Sequence, residues 1–172
     1  MGCDIHFFVE KKSTRLKRQE ILNEVVGDEE ELKMEWESAD SWIDNKDYDP
    51  EEDNRVKIIN RSERFYSGRN YTLFGILAGV RWTPKNGPIS KPKGFPSDAC
   101  IENKFEYKSW GRDAHSASYF TLRELNDVDW TKYWSEYDEC DLDLASFMKT
   151  IERMKDLDPN PDNVRCVFWF DN

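Results

Sequence analysis

Cys3-Asp4-Ile5-His6-Phe7-Phe8-Val9-Glu10 alternates in character: Ile5, Phe7 and Val9 fall on one side of an extended chain, and Asp4, His6, Phe8 and Glu10 on the other. A period of two reads as a strand, and it sets Asp4 and His6 side by side. Far along the chain, Val164 to Phe170 is an apolar, β-branched and aromatic run that reads as a buried strand. Helical signals lie between the two, so both strands are expected in one sheet with helices on at least one face. The expected fold class is α+β: a single domain over residues 1–172, with a mixed or antiparallel sheet holding the N- and C-terminal strands and three to four helices packed against it.

Between these strands, Lys11–Glu20 is basic and polar and reads as a loop, Ile21–Val26 is an ambiguous apolar patch, and Leu32, Met34 and Trp36 alternate as in a second strand. Asp44–Asn54 reads as an exposed connection and Val56–Ile59 as a short strand. From Leu73 the period changes: Leu73, Ile76, Leu77 and Val80 form a helical stripe, with Asn70 as N-cap and Gly79 as terminator. Thr83–Pro96 carries four of the seven prolines and two glycines, which forbids regular structure and predicts a long ordered loop. Ser97 or Asp98 is expected to cap a helix towards Lys108, and Thr121-Leu122-Arg123-Glu124 is a capping box. The longest helix is expected from about Asp141 to Leu157, burying Leu144, Phe147, Met148 and Ile151.

Lys and Arg total 25 against 35 Asp and Glu, a formal charge of -10, which opposes non-specific nucleic-acid binding and adhesion to anionic lipid. The acid concentrates in Asp28–Glu31, Asp47–Asp53 and Asp138–Asp143. Seven Trp, seven Tyr and ten Phe argue against disorder. Cys3, Cys100, Cys140 and Cys166 include no close-spaced pair, so they are expected to be buried thiols rather than zinc or redox ligands. Gly2 and Cys3 do not complete a myristoylation signal, because His6 stands where Ser or Thr is needed. With no apolar run near the ~20 residues of a membrane span and no leader-like opening, the expected compartment is the cytoplasm.

Each of the two histidines stands two residues after an aspartate, in Asp4-Ile5-His6 and Asp113-Ala114-His115. On a strand this spacing projects a carboxylate and an imidazole from one face, which suits a divalent metal or a carboxylate-oriented base. If both pairs converge, Asp4, His6, Asp113 and His115 supply four N and O ligands for zinc, manganese or iron. The plainer reading makes the histidines hydrogen-bonded and partly buried, and Asp113 a turn former. Asp-x-His also opens the metallophosphoesterase signature, but the Gly-Asn-His motif of that family is missing. Arg69 and Asn70 precede a helix N-terminus and, with Arg112, are candidate contacts for an anion or substrate; a glycine turn and cap explain Asn70 equally. No Gly-x-Ser-x-Gly elbow supports serine hydrolysis.

The opening Met-Gly-Cys-Asp-Ile-His, the block Gly68–Arg81, the Asp113–Ser116 stretch and the ending Val167–Asn172 together resemble an uncharacterised family of phage and bacterial proteins. Within it, the chain looks like the small early-region proteins of T-even-type phages. The resemblance implies expression in an infected bacterial cytoplasm, and it implies that the acidic segment of about residues 28–54 is an insertion. It transfers no activity, cofactor or catalytic residue. The expected function is therefore a polar, metal-binding pocket that hydrolyses a phosphorylated or nucleotide-like small molecule. The competing expectation is a non-enzymatic host-takeover or anti-defence protein that binds a bacterial protein through an acidic aromatic surface.

Overall fold

In the computed structural model, which describes residues 2–14, 34–51, 56–134 and 142–171, β1 (Ile5–Thr14) and β6 (Val164–Phe170) lie side by side. They run antiparallel in the centre of a four-stranded sheet of order β2-β1-β6-β5, where β2 is Met34–Ser38 and β5 is His115–Thr121. The fold is α+β, as the two terminal apolar runs predict. Every residue of β6 is buried, which explains its unbroken apolar character: it has a strand on each side and a packed layer on each face.

Alternation along β6 separates two cores. Val164, Cys166, Phe168 and Phe170 join Ile5, Phe7 and Val9 beneath α1 (Tyr71–Ala78), α3 (Leu122–Asn126) and α5 (Leu142–Lys155), whose Leu73, Phe74, Leu77, Leu122, Leu125, Phe147, Ile151 and Met154 complete that layer. On the opposite face Phe8, Trp169 and Ala117 pack against Trp42, Ile59, Phe95, Tyr107 and Trp110. These come from a small ribbon of β3 (Trp42–Asp44) and β4 (Lys57–Ile59), from the proline-rich loop, and from α2 (Ile101–Trp110). A fifth short helix, α4, spans Thr131–Trp134.

Several boundaries differ from the sequence expectations. β1 continues through Lys11–Thr14, read above as loop, because those residues pair with β2 in the register Lys11↔Glu37 and Lys12↔Trp36. The pairing is reinforced by Lys11 Nζ 3.6 Å from Glu37 Oε1 and by Lys12 Nζ 5.1 Å over the Trp36 ring. The sequence reading also missed β5, whose small and polar residues carry a weak strand signal and whose pairing with β6 is interrupted by a bulge between His115 and Ser118.

α2 starts at Ile101, later than expected, with no side-chain cap from Ser97 or Asp98. Asp98 is drawn instead to Arg165 Nη1 at 2.9 Å and Trp36 Nε1 at 3.0 Å. Glu10, on the face of β1 that α2 covers, caps the helix: its Oε1 accepts from Cys100 N and Asn103 Nδ2, both at 2.8 Å, while its Oε2 accepts from Arg165 Nε at 2.7 Å. A carboxylate at a helix N-terminus is favoured by the helix dipole as well as by the bonds themselves.

Other expectations hold. Asn70 Oδ1 accepts from Leu73 N at 3.0 Å, Gly79 closes α1 in the left-handed conformation at φ 69°, and Thr121 and Glu124 form the reciprocal capping box of α3. Thr83–Pro96 carries no regular structure. Cys3, Cys100 and Cys166 are buried free thiols. Ile21–Val26, Asp28–Glu31 and Cys140 lie outside the described residues, as do parts of Asp47–Asp53 and Asp138–Asp143.

Candidate functional site

Antiparallel pairing of Ile5 with Phe170 places Asp4 opposite Asp171, just beyond the last paired residues. The two exchange backbone and side-chain bonds: Asp4 N donates to Asp171 Oδ1 at 2.7 Å, and Asp171 N donates to Asp4 O at 3.2 Å. Asp171 Oδ2 then meets His6 Nε2 at 3.1 Å. One carboxylate therefore fixes the strand end with one oxygen and orients an imidazole with the other.

Burial pulls the His6 pKa below its ordinary 6.5, against the opposing hydrogen bond and charge of Asp171; the charge of Arg64 acts in the same direction as burial. Burial alone would raise Asp171, but the Asp4 N–H, the His6 bond and charge, and Arg69 outweigh it and hold this carboxyl below the usual range. The resting pair is thus a neutral imidazole beside a carboxylate. Since an ionised carboxylate only accepts, the proton belongs on Nε2, and Nδ1 is left with its lone pair. Trp110 covers the imidazole with ring centroids 4.2 Å apart, and Trp169 stacks on it at 5.4 Å.

Around this pair the segment Gly2–Asp4 is clasped by the residues that flank and begin α1. Arg69 Nε lies 3.2 Å from Cys3 O and 3.0 Å from Asp4 Oδ1, and Arg69 Nη2 donates to Tyr71 Oη at 3.2 Å. Arg81 Nη2 donates to Gly2 O at 3.2 Å, and both guanidinium groups lie over the Tyr71 ring, at 5.7 and 5.9 Å. Glycine at position 2 lets the guanidinium come this close, since a Cβ there would push aside Arg69 Nη2, the flexible end of that side chain. Arg81 and Ser116, at φ 63° and 51°, are the non-glycine residues in the left-handed region among the described residues, and the first helps build this corner.

The structure brings together Asp4, His6 and Arg69 of the residues nominated from sequence. His115 is elsewhere: it pairs with Phe170 and stacks on that ring at 6.0 Å, whereas His6 pairs with Trp169. Consecutive β6 residues face opposite sides of the sheet, so the two imidazoles belong to different layers. Asp113 and Arg112 are exposed in the turn after α2, where Asp113 N bonds Trp110 O at 3.0 Å. Asn70 is buried and its carbonyl oxygen serves the α1 cap. The set Asp4, His6, Asp113 and His115 is therefore not assembled. Among the described residues no three His, Cys, Asp or Glu side chains are grouped as a metal site requires.

Asp171, Tyr71 and Trp110 were missed by sequence reading. Asp171 was within reach of it: once the two terminal runs are taken as antiparallel neighbours, the residue after Phe170 must lie beside the one before Ile5. Tyr71 and Trp110 carried no comparable signal, since an aromatic at a helix end more often belongs to the core.

No protein-family model, curated protein or solved structure matches this chain. Among the described residues no helix is long and apolar enough to cross a membrane.

Proposed function

We propose that the chain hydrolyses a phosphorylated or nucleotide-like small molecule, with His6 as general base and Asp171 as the group that orients it. The supporting observation is the relay Asp4 N–H to Asp171 to His6, with bonds of 2.7 and 3.1 Å, around an imidazole that burial keeps neutral. In this reading a water gives its proton to His6 Nδ1 as its oxygen attacks phosphorus, and the same proton passes to the departing ester oxygen. Arg69, beside Asp4, supplies positive charge at the rim. The proposed setting, from the resemblance, is the cytoplasm of an infected bacterium.

The test is a panel of phosphomonoesters and nucleotides assayed against wild type, His6→Gln and Asp171→Asn. General-base catalysis contributes about 10²–10⁴-fold, so turnover should fall by that order in His6→Gln. Equal activity in wild type and a folded His6→Gln protein sinks the reading.

A second reading, binding of a bacterial protein, is favoured by the inside-out pattern of α2. Asn103 and Glu106 are buried at 0% and 5% exposure while Ile101 and Phe105 stand out at 52% and 64%. Tyr48 also stands exposed among Asp47, Asp49 and Glu51. Capture of one host protein by wild type and not by Phe105→Glu would favour this reading over hydrolysis.

A further inference from the structure

The most unusual charge on the His6 face is Arg64. Its backbone is held firmly: Arg64 O and Phe65 O accept from Arg153 Nη1 at 2.9 and 3.3 Å, and Phe65 N donates to Asp40 Oδ1 at 3.4 Å. Its side chain reaches the Phe8 ring, with Cζ 5.9 Å from the centroid. There the guanidinium makes no hydrogen bond or ion pair with any described residue, and Nε is wholly buried. Burial of Nε removes its water and no described residue replaces it, a cost that the nearby charge of Asp40 offsets only in part. A second orphan donor packs against the same ring: Trp169, fully buried and stacked on Phe8 at 5.1 Å, has no acceptor for Nε1 among the described residues. His6 stacks on that indole and feels the charge of Arg64.

We propose that Arg64 is the oxyanion-binding residue of the His6 site, receiving a phosphate or carboxylate group of the ligand on the terminal nitrogens of its guanidinium. This rests on the hydrolytic reading for the placement of the reacting group, but the binding step stands without it. The sequence nominated Arg69, Asn70 and Arg112 for this task. Arg69 is already engaged by Cys3, Asp4 and Tyr71, and Asn70 by its helix, whereas the terminal nitrogens of Arg64 donate to none of the described residues. An anion there also lies near His6, where the groups that already set the imidazole's charge are Asp171, Asp4 and Arg64. Binding must then raise the His6 pKa, and protonation of His6 must tighten binding by the same factor.

The experiment is an NMR titration of wild type, Arg64→Met, Arg64→Lys and His6→Gln with inorganic phosphate and, separately, acetate, following the His6 ring and the Trp169 indole N–H. Wild type should bind at least one of the two anions, with a rise in the His6 pKa. Arg64→Met should lose at least tenfold in affinity and the response of His6, and Arg64→Lys should recover part of it. His6→Gln should still bind. Preference for phosphate over acetate would identify a phosphoryl group as the ligand's anion, and the reverse a carboxylate; both support the proposal. Binding that survives Arg64→Met overturns it, whatever the hydrolase assay gives. Absence of binding by wild type also overturns it, and the guanidinium is then satisfied by water or by a carboxylate of the chain itself. Anion binding lost in Arg64→Met, without phosphoester turnover by wild type, leaves the seat standing and removes the hydrolytic reading.

Discussion

Glu10 and Arg165 form an ion pair across β1 and β6 at 2.7 Å, with side chains 0% and 4% exposed. Cys100 N and Asn103 also donate to the carboxylate, Asp98 also accepts from the guanidinium, and the Trp36 ring lies 3.9 Å from Arg165 Cζ, while Arg165 Nη2 is buried with no acceptor among the described residues. Removing one partner leaves the other charged and dry. Glu10→Ala or Arg165→Ala alone should each cost about 3–5 kcal/mol, whereas an apolar pair of similar volume, Glu10→Leu with Arg165→Met, should cost far less than the sum. Urea unfolding of the three variants measures the difference, and additive losses would contradict a coupled pair.

Two buried groups give the pH dependence of stability opposite signs. Burial depresses His6, so its contribution is fully present above pH 6.5 and is lost as pH falls through the lower folded-state value. Asp40 is raised from 3.8 to about 6, chiefly by burial, against the opposing bonds from Val9 N and Phe65 N and the charges of Arg64 and Arg153. The folded state therefore holds that proton more tightly, and the contribution of Asp40 is greatest below pH 3.8 and disappears as pH rises through about 6. Relative to wild type, His6→Gln should flatten the acid-side loss, and Asp40→Asn should flatten the decline between pH 4 and 6. Unfolding midpoints across pH 4–8 decide it; an Asp40→Asn profile parallel to wild type would refute the Asp40 assignment.

Two glycines predict contrasting outcomes. A Cβ at Gly75 would lie 2.5 Å from the carbonyl oxygen of Trp82, a backbone atom that cannot step aside, so Gly75→Ala should destabilise despite the usual helical gain of about 1 kcal/mol. At Gly2 the obstacle is the flexible end of Arg69, so Gly2→Ala should leave the melting temperature nearly unchanged while displacing Arg69 from Cys3 and Asp4. Melting curves and phosphoester turnover on both variants separate the two effects.

Burial raises the thiols of Cys100 and Cys166, the latter to about 12. Neither should react with maleimide in the folded protein at neutral pH, and both should do so in urea. Peptide mass spectrometry after brief labelling reads this directly, and rapid native labelling of Cys166 would refute its burial.

The fold was legible where periodicity was strong. The alternation of Ile5, Phe7 and Val9, the unbroken Val164–Phe170 run, the Asn70 and Gly79 caps and the Thr121 capping box each act through neighbours in sequence. What escaped depends on distant partners: Lys11–Thr14 become strand because Met34–Ser38 lies beside them, and Asp98 leaves its helix for Arg165. The candidate site divides in the same way. Asp4 and His6 share a face by local spacing, but the partner of His6 is Asp171, and His115 is carried to the other layer by its pairing with Phe170. Arg64 had no sequence signal at all, because its distinction is the lack of an acceptor for Nε among the described residues around it.

The pairing of β1 with β6 joins residues 155 positions apart, as in Glu10 with Arg165. At about 5–20 residues per second, a ribosome needs roughly 8–30 s to pass from one to the other. Throughout that interval Phe7, Phe8 and Val9 have been translated without the strand that shields them. Newly made chains should therefore be clients of holdase chaperones, and their yield should depend on chaperone supply more steeply than the stability of the finished sheet would suggest.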